Sequence, residues 1–71
     1  MAIKNWKLIE HYKNIWIWHN KENDYKISVL RSIFSDGWTV IVSTGYTNII
    51  NKSFYVFDNA LKFAKQYMKT N

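Results

Sequence analysis

The groups in this sequence that could move protons, attack carbonyls or hold metals are two histidines, His11 and His19, five carboxylates and a handful of serines. A helical metal site needs ligands at i and i+3 or i+4 on one face, and nucleophilic catalysis needs a serine held beside a base. Neither pattern occurs. Glu10, Glu22, Asp24, Asp36 and Asp58 are scattered through the chain, and Ser28, Ser32, Ser35, Ser43 and Ser53 lack a G-x-S-x-G setting. Two glycines are too few for a phosphate-cradling loop, and the absence of cysteine removes disulfides and thiolate ligands. Two histidines flanking an expected turn and strand read as ordinary surface residues. The expectation is a protein that is not an enzyme, with no cofactor and no metal.

A second chemistry is carried by rings and cations. Trp6, Trp16, Trp18, Trp38, Tyr46 and Tyr55 are interleaved with Lys7, Lys13, Lys26, Arg31 and Lys52, and the formal net charge is +5. Aromatic platforms beside basic side chains are what single-stranded nucleic acids use, stacking bases on rings and phosphates on cations. Nine of the ten cations are lysines, which neutralise phosphate without the bidentate fork that reads base edges, so such binding to DNA or RNA would be largely sequence-independent. Trp16, Trp18, Lys26, Arg31 and Lys52 are the expected contacts, on a sheet face turned away from a helix. The competing account of each ring is core packing, and of the charge an AT-rich coding composition. Lys62, Lys65 and Lys69 form a second basic stripe, whose plain reading is a solvated helix face. The alternative function is a homodimer or protein-partner module, because Ile15-Trp16-Ile17-Trp18 is apolar on both faces of a strand.

The elements that must position these groups follow from periodicity. At 100° per residue, Phe57, Ala60, Leu61, Ala64 and Met68 share one side while Lys62, Lys65 and Lys69 fall opposite, predicting an amphipathic helix over 57–69 capped by Asp58. Ala60, Leu61 and Ala64 are expected to be buried. Upstream, bulky and β-branched residues at period two predict strands over 6–12, 15–18, 25–31, 38–44 and 49–55, the first and last being less regular. Tyr25, Ile27 and Val29 should point inward. Lys13-Asn14, the polar tract 19–24, Ser35-Asp36-Gly37 and Gly45-Tyr46-Thr47-Asn48 supply the turns. The fold class expected is α+β: an antiparallel meander of three to five strands with one C-terminal helix on one face.

Seventy-one residues without proline, repeat or linker suggest one small domain, and thirteen aromatic residues suit a chain that must build its core without disulfides. No apolar run is long enough for a signal peptide or a membrane span. The reading is a soluble, cytoplasmic protein with no membrane partner. The segment Phe54-x-Val56-x-x-x-Ala60-Leu61-x-Phe63-Ala64 resembles the N-terminal DNA-binding arm domain of phage-type tyrosine recombinases. That resemblance covers roughly 25–67 and implies three strands and a helix, with the sheet entering a major groove. Asn5-Trp6-Lys7, Trp18-His19-Asn20, Trp38-x-Val40 and Ala60-Leu61-x-Phe63-Ala64-x-x-Tyr67-Met68 resemble uncharacterised small archaeal proteins over most of the chain. This second likeness implies the same kind of fold and no established activity.

Overall fold

A computed structural model describes residues 6–32, 36–45 and 47–70. Ser35 and Tyr46 of the expected turns, and the expectation about the N-terminus at 1–5, lie outside the described residues. Five strands, β1 (Trp6–Tyr12), β2 (Ile15–Asn20), β3 (Lys26–Arg31), β4 (Trp38–Ser43) and β5 (Asn48–Phe54), form one antiparallel sheet in the order β1-β2-β3-β4-β5. The helix α1 (Phe57–Thr70) packs on one face against β3, β4 and β5. The expected α+β meander with a terminal helix is the fold observed. The polar stretch Asn51-Lys52-Ser53 is still strand because β5 is an edge, with one side open to water and little demand for apolar residues.

Register fixes which side chains share a face, because directly opposed residues point the same way. Trp16 pairs with Val29 and Val29 with Val40, while Trp18 pairs with Ile27 and Ile27 with Val42. These alternate residues make the helix side, where Ile27, Val29, Val40, Val42, Ala60 and Ala64 are fully buried. Ala60 and Ala64 leave the helix little bulk at its inner line, so it can approach the valines closely. Tyr25 packs half-buried against that core, and Leu61, expected to be buried, is only half-buried because it lies at the flank of the apolar stripe. Desolvation, and secondarily the neighbouring Tyr25, raise the Tyr67 hydroxyl above its ordinary 10.0, which places the last helical turns beside the start of β3.

Local chemistry sets the turns. Buried Asn20 closes the β2–β3 hairpin: its Oδ1 accepts from the Glu22 N–H at 2.8 Å, its own N–H donates to the Tyr25 carbonyl, and its carbonyl accepts from Asp24. Asp24 then turns the chain at φ 58, the left-handed region that aspartate tolerates. A bulge between Leu8 and Glu10 inserts Ile9, which brings His11 rather than Tyr12 onto the helix side opposite Trp16. The helix begins at Phe57 as expected, but its cap lies two residues before Asp58. Val56 is the capping residue, its carbonyl accepting from Ala60 at 3.2 Å, and Asp58 sits inside the first turn, where its charge still meets the positive end of the macrodipole.

Gly37 combines a φ of 129 with a backbone approach so close that an added Cβ would collide with the Phe54 carbonyl oxygen. Alanine there must strain the backbone and push β5 away. Gly37→Ala is expected to cost about 1–3 kcal/mol, read as a lowered urea midpoint. An unchanged midpoint would contradict the contact.

Candidate functional site

The two faces of the sheet differ in chemistry. On the helix side, an aromatic cluster lies beyond the footprint of α1: Trp16 stacks on His11 at 4.8 Å and meets Phe57 at 4.9 Å and Trp38 at 5.8 Å, with Trp38 and Phe57 4.7 Å apart. Arg31 Cζ lies 5.8 Å from the centre of the Trp38 ring. Across the helix, Lys52 Nζ lies 5.3 Å from the Phe63 ring and 5.9 Å from that of Phe54.

The five expected nucleic-acid contacts therefore do not converge. Trp16 and Trp18 are half-buried and packed against the core on the helix side, not on the face turned away from it. Arg31, opposite Trp38, and Lys52, opposite Val40, also point to the helix side, on opposite flanks of it. Lys26 alone of the five lies on the outer face, paired with His19 and Ser43. The physical reason is alternation. Strand period two sends Lys26 and Arg31 to opposite faces, and the register that buries Ile27 and Val29 draws Trp16 and Trp18 inward with them.

The outer face is aliphatic. Ile17 lies opposite Ser28, Ser28 opposite Ile41, and Ile41 opposite Asn51; in the next row Tyr12, Ile15, Leu30, Thr39 and Ser53 run side by side. Ile15, Ile17, Leu30 and Ile41 are half-buried by their neighbours alone, while Ile9 is 52% and Tyr12 65% exposed. No element among the described residues covers this side. Its charges are peripheral: Lys7 and Glu10 on β1 and Lys26 at one end of β3, with His19 Nε2 donating to exposed Asp24 Oδ1 at 2.8 Å. His11 and His19 lie on opposite faces, which separates the two as ligands of one metal ion. At the far end Ser32 Oγ and Thr39 Oγ1 share a hydrogen bond of 2.8 Å.

Sequence reasoning noticed this surface through Ile15 and Ile17 but did not assemble it. Leu30 and Ile41 each looked like one apolar residue out of step in an alternating strand, and only register places them beside the isoleucines of β2. The third basic group, Lys62, Lys65 and Lys69, runs along the exposed side of α1. Comparison with family models, with curated proteins and with solved structures finds no match.

The facing of β2 can be tested residue by residue. Trp16→Ala should remove the hub of the aromatic cluster and cost about 3 kcal/mol, whereas Ile17→Ala, measured in dilute solution, should cost less than about 1 kcal/mol. Equal losses in urea unfolding would mean that the two faces are alike.

Proposed function

We propose that this protein is a non-enzymatic interaction module that self-associates through the outer face of its sheet. The observation that carries the reading is the continuous patch of Ile15, Ile17, Leu30 and Ile41 with no charge at its centre. Scattered apolar side chains are normal on a surface, but a contiguous patch rimmed by polar groups marks a contact.

A second copy fits the patch because the patch complements itself. β3 is the central strand, and beyond Lys26 at its end its outer side carries one small residue, Ser28, and one large one, Leu30. A two-fold axis crossing β3 between them sets Leu30 of each copy over Ser28 of the other. The same axis sets Ile15 over Ile17 and Ile41 over Thr39. Large groups thus meet small ones or stagger, as two packed sheets about 10 Å apart require. Five strands about 4.8 Å apart and six residues at about 3.3 Å give a face of roughly 500 Å² in projection, toward the small end for a specific interface.

The energy agrees with that size. Completing the burial of these side chains on both copies is worth roughly 8–12 kcal/mol gross, against at least about 4 kcal/mol for lost rigid-body freedom. A dissociation constant between about 1 µM and 1 mM results. Each copy carries +5, so added salt screens mutual repulsion and should strengthen the dimer.

Sedimentation over that concentration range should show a reversible monomer–dimer equilibrium shifted toward dimer by salt. Ile17→Lys with Ile41→Lys places two charges at the centre of the patch without touching the buried face, and should leave a folded monomer. A wild-type protein that is still monomeric at millimolar concentration, or a double variant that still dimerises, would refute the reading.

A further inference from the structure

We infer a second binding surface on the opposite side of the molecule: the exposed face of α1, with Lys62, Lys65 and Lys69, takes a nucleic-acid phosphate backbone. This goes beyond self-association and does not depend on it, since the helix and the outer sheet face lie on opposite sides of the sheet.

The first support is the cost of the arrangement. Lys62 and Lys65 are three residues apart and Lys65 and Lys69 four apart, so all three are neighbours on one stripe about 10 Å long. Like charges at these spacings weaken a helix, and a face that serves only solubility mixes signs, with acidic residues at i and i+4 to basic ones. After Asp58 the helix contains no acidic residue. None of the three lysines forms an ion pair among the described residues. An uncompensated stripe is what a polyanion neutralises.

The second support is a flank of the same sign. Lys52 stands on β5 at the edge of the helix, held over Phe63 and Phe54. Phe63 also lines a shallow depression on the helix surface together with Lys62, Lys65, Gln66 and Lys69. Cations therefore border the helix surface from the strand as well as from its own stripe, with an apolar floor between them.

The chemistry of the stripe selects among polyanions. An anionic bilayer takes up a basic helix through its apolar side, yet here Ala60, Ala64 and Met68 are buried against the sheet and leave no such side to insert. A phosphate backbone needs only cations that can reach it, and lysines on flexible stems supply them without base-edge recognition. Binding should be sequence-tolerant and steeply salt-dependent. In the proposed dimer the two lysine faces point away from each other, so one dimer presents two such surfaces and can bridge two strands.

The test is the anisotropy of a labelled mixed-sequence single-stranded oligonucleotide titrated at several salt concentrations. Wild-type protein should bind at low salt, with log affinity falling against log salt by about 0.7 per neutralised phosphate. The variant Lys62→Gln, Lys65→Gln, Lys69→Gln should lose about two units of that slope, whereas Lys13→Gln with Lys21→Gln, in the loops, should lose little. Because the helix variant removes repulsion, its melting temperature should stay level or rise, which separates lost binding from lost fold. Absence of binding at low salt would overturn the inference, as would an equal loss of slope per lysine in both variants. So would lysine-dependent capture by anionic vesicles without capture of the oligonucleotide.

Discussion

Everything in this structure answers one constraint: a five-stranded sheet has two broad faces, and the described residues supply a single helix. An α-helix with its side chains is about 10–12 Å across, whereas four strand spacings come to about 19 Å. One helix therefore spans about three strands, and α1 lies on β3, β4 and β5. The helix side of β1 and β2 needs another cover, and the sequence supplies it with bulk. Trp6, Trp16 and Trp18 fill the space beside the helix, His11 and Phe57 extend it, and Trp38 joins the cluster to the helix start. The aromatic excess that looked like a stacking platform is, for these rings, the side wall of a small core. Among the described residues the outer face has no such cover, and its aliphatic centre is the residue of the same constraint.

How much of this was legible depended on whether the information was local. The helix and the turns at Lys13-Asn14 and Asp36-Gly37 could be read from periodicity and residue type, because each is determined by neighbours along the chain. The inward facing of Ile27 and Val29 was legible for the same reason. The phase of β1 was not: Ile9 is an extra residue, and a bulge is invisible to a period-two count until the partner strand is seen. The helix start at Phe57 was legible, but its cap was misassigned: Asp58 is a good cap by type, yet the carbonyl of Val56 accepts the first bond. The expected contacts are divided between the two faces for a more general reason. Lys26 and Arg31 stand at opposite ends and on opposite faces of β3, and whether Trp16 and Trp18 look inward or outward depends on pairing with β3, which no local pattern encodes.

Charge is separated in a way that composition alone concealed. A net +5 could be spread evenly, but the stripe Lys62, Lys65 and Lys69 and the flanking Lys52 and Arg31 all belong to the helix side, while the centre of the outer face has no charge. The two proposed contacts should respond to salt with opposite sign: screening favours contact between two cationic copies and opposes contact between lysines and phosphate. One small fold thus carries an apolar face and a cationic face, back to back across a single sheet.

The central claim is that the outer face meets a second copy through a two-fold axis crossing β3. It is tested most directly by isotope-filtered nuclear Overhauser spectra on an equimolar mixture of labelled and unlabelled protein at millimolar concentration, where only contacts between copies give signals. The account predicts cross-peaks from the Leu30 methyls to Ser28 and between the methyls of Ile15 and Ile17. Contacts between copies that come from the helix, or from strand edges alone, would contradict it.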